Sequence, residues 1–464
     1  MDILLTHGYF LQQDPHERNV MRPYPTLGLL YLSAYLKSRG FEVGIYDSTF
    51  KTRAEAFRYL QTEGPSLVGI YCNMMTKPNV LAMIRFCKQL GATVVLGGPE
   101  PPFYAKEYLT FGADVIVNGE GEWTLEELIP NIQHYGLAKL HKIKGIAYLN
   151  AAGEVETTAT RPFIQHLDEL PFPDRESIDF RQYLDTWKDH HEASSASLIC
   201  ARGCPYTCTW CSHSVYGHSH RRRSPQNVAD EVEQLVADYD PDMLWYADDV
   251  FTIHFKWFFA YAEELKRRHL SLPFECIARE DRLNETVVRT LSDMNCQRLW
   301  IGSESGSQKI LDAMQRKTDA ERVREMVHLL QKHGIQAGMF IMLGYEDETE
   351  ADLAATADLL KESNPDVFLT TVSYPIKGTK YYREIEGRIK RMAPWENSTD
   401  RDLVITGRKS KRYYDFANRW LVNEVNGHRF ANNGRQNRLR KIKSVLNAKI
   451  GRLGMALTKN NLVE

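Results

Sequence analysis

Short runs of β-forming residues recur through the first 135 residues, at 2–6, 42–46, 67–71, 92–96 and 114–117, and the stretches between them carry helical spacing. In the first such stretch Leu27, Leu30, Tyr31 and Ala34 fall on one helical face, and Lys37, Ser38 and Arg39 lead to Gly40 as a stop. Strands separated by helices pair in parallel through right-handed crossovers. The pattern therefore predicts an α/β fold, a doubly wound five-stranded parallel sheet. Ligands of such sheets sit beyond the carboxyl ends of the strands, here the loops 8–25, 72–78, 97–102 and 119–122. Glycines in the last two let backbone approach a large ligand closely. A nucleotide, a flavin or a corrinoid fits this pattern, and so do ordinary turns.

Residues 144–158 read as a β-hairpin around 151–153, and 161–175, with Pro162, Pro171 and Pro173, as an extended linker. A second set of strand runs follows at 197–201, 243–246, 274–278, 298–302, 336–342 and 367–372, the first five each followed by a helical pattern. Six units make a partial (β/α)6 barrel, with chemistry on the loops after the strands. The expected organisation is a sheet domain over 1–140, a hairpin and linker over 141–190, a partial barrel over 191–385 and a basic, mostly helical extension over 386–464.

The 464 residues are 43% hydrophobic with a net charge of −2. That is enough apolar content for several domains and excludes a disordered or collagen-like chain. No apolar run reaches the ~18 residues of a membrane span, and the start lacks a basic region followed by an apolar one, so no signal peptide is expected. Charge is uneven: residues 386–464 carry a net +11, leaving −13 for the rest. Of the eight cysteines, Cys200, Cys204, Cys208 and Cys211 fall within twelve residues, while Cys72, Cys87, Cys276 and Cys296 are scattered. A tight cluster in a large chain points to a metal site in a reducing compartment, so a cytoplasmic protein is expected.

The cluster reads Arg202-Gly203-Cys204-Pro205-Tyr206-Thr207-Cys208-Thr209-Trp210-Cys211, a C-x3-C-x2-C spacing just after the first strand of the second set. Thiolates on such a loop can converge on one iron–sulfur cubane, and three ligands leave one iron open. Zinc is the alternative, but structural zinc takes four ligands from paired motifs. Cys200 is a candidate fourth ligand that lies inside an apolar strand, and His213, His218 and His220 are candidates to complete a zinc site. Trp210 would shield the cluster from solvent.

This motif, on the loop after strand one of a partial barrel, resembles the radical S-adenosylmethionine (SAM) superfamily. The resemblance extends over roughly 197–379 through Tyr246-Ala247-Asp248-Asp249-Val250-Phe251-Thr252 after strand two and Arg279 at the end of strand three. Gly302-Ser303-Glu304-Ser305-Gly306 ends strand four, Met342-Leu343-Gly344-Tyr345-Glu346 ends strand five, and Pro375-x-x-Gly378-Thr379 closes the set. It implies that Cys204, Cys208 and Cys211 hold a [4Fe–4S] cluster whose open iron chelates SAM. One-electron reduction by an external flavodoxin- or ferredoxin-type donor would then cleave SAM to a 5′-deoxyadenosyl radical. The implied SAM contacts are Tyr206, Trp210, Arg279, Glu304 and Gly344. Asp248 and Asp249 are candidates for substrate binding or for capping the next helix.

In the N-terminal part, Tyr24-Pro25-Thr26-Leu27-Gly28, Gly97-Gly98-Pro99 and Gly119-Glu120-Gly121-Glu122 resemble the cobalamin-binding domain of B12-dependent radical SAM enzymes, a group of carbon methyltransferases and anaerobic Mg-protoporphyrin cyclase-like proteins. The implied cobalamin contacts are Asn73, Thr76, Gly97, Gly98, Pro99, Gly119 and Glu120. The chain departs from corrinoid domains that ligate cobalt through the His of Asp-x-His-x-x-Gly: here Asp14-Pro15-His16-Glu17-Arg18-Asn19 ends in asparagine. His16 is thus a solvated loop residue by default, and Asn73 or Thr76 would lie beneath the corrin.

The implied function is C-methylation of an unactivated carbon on a small-molecule, lipid or tetrapyrrole intermediate. The alternatives are B12-dependent oxidative cyclisation or rearrangement, RNA modification and a zinc-binding module. RNA-modifying methylthiotransferases carry a second cysteine trio in the N-terminal domain, where this chain has only Cys72 and Cys87, which argues against a nucleic-acid substrate. Residues 412–422 read as a helix covering the barrel. The basic stretch 432–443 reads as a solvated helix, a nucleic-acid arm or a membrane-surface contact.

Overall fold

The computed structural model describes residues 1–432 and 438–463. Part of the basic stretch 432–443 thus lies outside the described residues. The chain forms two compact units. The first comprises Met1–Pro205, Ser212–Trp245 and Ala393–Thr399; the second comprises Tyr206–Cys211, Tyr246–Met392 and Asp400–Glu464.

In the first unit, strands β1 (Ile3–His7), β2 (Val43–Tyr46), β3 (Leu67–Tyr71), β4 (Thr93–Gly97) and β5 (Val115–Val117) form the expected parallel sheet, in the order β2-β1-β3-β4-β5. Residues on alternate sides of each strand fill separate cores, as a sheet covered on both faces requires. Ile3, Leu5, Val95 and Val115 pack on one face, with Leu36 and Leu128 from the helices. Leu4, Val94, Leu96 and Ile116 pack on the other, with Val80 and Ile84. The hairpin expected at 144–158 forms as β6 (Ile146–Leu149) and β7 (Val155–Thr157). It pairs antiparallel onto β5 and makes the sheet seven-stranded rather than a free-standing piece beside it.

Strand order reverses between β1 and β3, the position where doubly wound sheets open a crevice for ligands. The loop after β1 is tied there to the helix Lys77–Gln89 that follows β3: Asn79 Nδ2 donates to the Gly8 carbonyl at 2.9 Å. A Cβ on Gly8 would lie 2.8 Å from Val80 Cγ2, so only glycine permits this approach.

The second set of strands is β8 (Ser195–Leu198), then the short antiparallel pair β9 (Ala201–Arg202) and β10 (Arg221–Arg222), then β11 (Met243–Tyr246). Met243 N donates to Ser194 O at 3.0 Å, where β8 and β11 begin side by side in the first unit. In the second unit β12 (Phe274–Ala278), β13 (Cys296–Glu304), β14 (Gln336–Leu343) and β15 (Val367–Val372) run parallel, in the order β15-β14-β13-β12. Helices Glu285–Asp293, Ala320–Lys332 and Glu350–Ser363 connect them, each started by an Asn284, Asp319 or Thr349 side-chain cap. The second unit ends in two long helices, Lys411–Asn432 and Arg438–Thr458. No helix among the described residues is long and apolar enough to cross a membrane.

Candidate active site

The cysteine loop is held at both ends of its turn. At its entry Gly203 has φ +86°, and a Cβ there would run into the Ser219 carbonyl. The preceding Arg202 is buried and bonds Glu120 at 2.7 Å, on the loop after β5, and Glu122 at 2.6 Å, at the start of the helix Glu122–Tyr135 that follows that loop. Arg221, across the β9–β10 pair, holds Glu120 at 2.8 Å, and Glu120 also accepts from Ile164 N. Inside the turn Thr209 is fully buried. Its backbone N donates to Met314 O at 3.1 Å, its carbonyl accepts from Tyr381 N at 2.8 Å, and its hydroxyl lies 2.6 Å from Tyr345 OH.

Cys204 is buried, Cys208 half-buried and Cys211 exposed. Cys200 is buried in the core. Burial pushes the Cys208 thiol up, while the charge and hydrogen bond of Arg279 pull it toward the thiolate. Arg279 is not a surface residue. It is buried, lies 4.0 Å above the Tyr206 ring, pairs with Asp281 at 2.8 Å and donates to the Arg316 carbonyl. Tyr206 OH accepts from Arg282 Nε at 2.5 Å. Trp210 packs against a small core of Ile310, Met314, Tyr345 and Tyr381.

Glu304 ends β13 beyond a bulge: Gly302 pairs with Phe340 and Glu304 with Ile341, so Ser303 is the extra residue. Glu304 has φ +60°, in the left-handed region that a non-glycine residue avoids. Bulges and such backbone cluster where a side chain must be re-aimed. Burial pushes the Glu304 carboxyl up to about 8; Glu280 adds to the rise and Arg279 opposes it. Asp248 is buried and Asp249 exposed. Neither caps the following helix Phe255–Arg267, whose N-terminus is capped by His254 Nδ1 accepting from Trp257 N at 3.1 Å.

The Glu120 carboxylate is held by Arg202 and Arg221, which ties the loop after β5 to the strand entering the cysteine loop. Gly344 has φ +75°, and the Arg408 guanidinium and the Tyr414 ring lie where a Cβ on it would be, so only glycine permits this approach.

The cysteine donor set and the space at the edge of the first sheet suit the implied groups. Among the described residues no three His, Cys, Asp or Glu side chains converge on a single-ion position; a cubane takes each thiolate on a different iron and does not ask for that convergence. At the carboxyl edge of the first sheet, the space beside Gly97 is open, with no atom within 4 Å of where a Cβ would be, and Met75 is half exposed on the loop after β3. An open glycine and an outward apolar side chain suit a broad macrocycle. Asn73 Oδ1 caps its own turn through Met75 N and Thr76 N, and Thr76 Oγ1 returns the bond to Asn73 N. Gly98 lies so close to the Cys72 carbonyl that no side chain fits. Pro99 is half-buried, Gly119 has φ +86°, and His16 is exposed on the short helix Pro15–Val20.

Residues 198–360 match the model of the Radical SAM superfamily and residues 18–129 that of the B12 binding domain. The chain belongs to the B12-binding radical SAM enzymes. An uncharacterized methyltransferase of Pyrococcus horikoshii is 26% identical over 393 residues, covering 82% of this chain and 83% of that one. The anaerobic magnesium-protoporphyrin IX monomethyl ester cyclase of Rubrivivax gelatinosus is 27% identical over 379 residues, 79% of this chain and 67% of that one. The fold is shared with the radical SAM methyltransferase TsrM of Kitasatospora setae, solved with cobalamin and a [4Fe–4S] cluster bound (TM-score 0.69, 20% identity, 84% of this chain and 79% of that one). The cofactors of this radical SAM enzyme are a [4Fe–4S] cluster, SAM and cobalamin. Sequence reasoning pointed to the cysteines but not to Thr209, nor to the Arg202–Glu122 pair; a hydroxyl residue between two cysteines of the motif was the available signal for the former.

Proposed function

We propose that this enzyme C-methylates an unactivated carbon of a small molecule. The observation that carries the reading is Cys208 set against the buried Arg279, with the re-aimed Glu304 beside Arg279, in a chain that also holds a corrinoid-type sheet. When bound, the cluster and SAM supply a carbon-centred radical, and cobalamin supplies a methyl group. Cys204, Cys208 and Cys211 hold the cluster. Arg279 offers its charge to the SAM carboxylate or to a substrate anion, and Glu304 accepts from the SAM amino group or ribose. Tyr206 stacks on Arg279 and fixes its direction, and Trp210 excludes water from the cysteine loop. Asn73, Thr76, Gly97, Gly98, Pro99 and Gly119 form the corrinoid rim, and Asp248 and Asp249 face the substrate. An external flavodoxin- or ferredoxin-type protein supplies the electron.

The test is anaerobic reconstitution with iron, sulfide and hydroxocobalamin, then metal counts and SAM cleavage after reduction. About four irons and one corrinoid per chain, with 5′-deoxyadenosine formed and lost in Cys208→Ala, support the reading. Iron without corrinoid overturns the cobalamin half. The relation to the cyclase favours a second reading, oxidative cyclisation. It predicts substrate oxidation with no label passing from methyl-labelled SAM to product.

A further inference from the structure

The last helix, Arg438–Thr458, is built inside out. Its small residues Ser444, Ala448, Gly451 and Gly454 are buried against the helix Lys411–Asn432. The fit is tight: a Cβ on Gly451 would lie 2.6 Å from Trp420 N, and one on Gly454 would run into the Phe416 ring. Its large aliphatic residues point the other way. Leu439 is 83% exposed, Leu453 62% and Leu457 74%, with Ile442, Leu446 and Ile450 also exposed. At ~100° per residue these six fall within an arc of about 80°, on the side opposite the buried small residues. An ordinary surface helix buries such a stripe. Among the described residues nothing covers it for almost the whole helix, an extent larger than scattered surface leucines require.

Charge identifies the occupant. The helix carries six Lys and Arg and no Asp or Glu. Arg438 and Lys449 flank one side of the stripe and Lys443 the other. Two such helices from two copies would repel. Nucleic acid would use the positive charge but leave the aliphatic stripe in water. An anionic bilayer surface uses both, taking the apolar stripe at the acyl boundary and the lysines at its headgroups. We propose that the helix Arg438–Thr458 docks this enzyme on an anionic membrane surface, lying in its plane. The proposal is independent of the chemistry assigned to the cofactor-binding residues.

The full-length protein is sedimented with vesicles of phosphatidylcholine alone and of phosphatidylcholine with phosphatidylglycerol. A Leu446→Gln/Leu453→Gln/Leu457→Gln variant serves as comparison. All three leucines are exposed, and an unchanged thermal transition verifies the variant's fold. The expected result is at least tenfold stronger partition onto the anionic vesicles, weakened by salt, and a drop of tenfold or more in the variant. No binding to anionic vesicles overturns the proposal. So does equal binding by the variant, which would leave only charge attraction. A protein that ignores vesicles but self-associates through the leucines, or that prefers RNA, also overturns it.

Discussion

Arg202 and Glu122 form a buried ion pair at 2.6 Å, and the same guanidinium holds Glu120 at 2.7 Å. The two contacts join the strand that enters the cysteine loop to the loop after the last parallel strand of the first sheet and to the helix that loop starts. Removing one partner of such a pair strands a buried charge, at a cost of about 3–5 kcal/mol. Arg202→Ala is expected to lose that much stability in denaturant unfolding and to retain less iron after reconstitution, since Cys204 lies two residues on. Unchanged iron content with lowered stability would make the pair purely a fold element.

Thr209 lies between Cys208 and Cys211, two of the cysteines proposed to hold the cluster, and is itself buried. Its hydroxyl bonds Tyr345 and the Met314 carbonyl. Thr209→Val keeps the shape and removes both bonds, leaving Tyr345 OH buried without that partner, worth about 1–3 kcal/mol. The expected phenotype is a cluster that forms but is lost faster under a chelator. Equal chelation rates would show that the backbone bonds of Thr209 suffice to hold the turn.

Glu304 provides a test of SAM recognition separate from cluster assembly. Its carboxyl, pushed up to about 8, is largely protonated near neutrality in the ligand-free protein, and accepting hydrogen bonds from the amino group or ribose of SAM favours its ionised form. SAM affinity should therefore rise as pH increases toward 8 and level off above it. Glu304→Gln should weaken binding about 10–100-fold and remove this pH dependence while the iron count stays at the wild-type value. A parallel pH profile in the variant would assign the titration to another group.

Much of this arrangement is visible in the chain because it is periodic or local. Alternation of Leu4 against Ile3 and Leu5 sets the two faces of a strand, and the cysteine spacing sits within one loop. Arg279 and Glu304 were legible as charged residues ending strands. What was not legible depends on distant partners. The Lys77 ammonium is buried 2.7 Å from the carbonyl of Ser398, 321 residues away, and 4.0 Å from the Trp395 ring. Nothing in its own neighbourhood marks it as buried. The Glu120 ion pairs and the packing of Arg408 and Tyr414 against Gly344 are of the same kind. The partner lies far along the chain, and nothing beside the glycine or the carboxylate announces it. The bulge at Ser303 escaped for a different reason, because an extra residue in a strand leaves its apolar run intact.

Glu348 gives the protein a pH dependence that can be isolated. Burial pushes its carboxyl from 4.5 up to about 7, against the bond from Gly344 N and the charge of Arg408. The folded state then binds this proton more tightly than the unfolded chain. Its contribution to stability is fully present below about 4.5 and is lost as pH rises through about 7. Glu348→Gln imitates the protonated form at every pH. The variant should match the wild type near pH 4 and exceed its unfolding free energy by about 1–3 kcal/mol at pH 8. Denaturant midpoints of both proteins across that range measure the difference. Curves that stay parallel would mean that Glu348 ionises in the folded protein at its ordinary value, with Arg408 close enough to offset its burial.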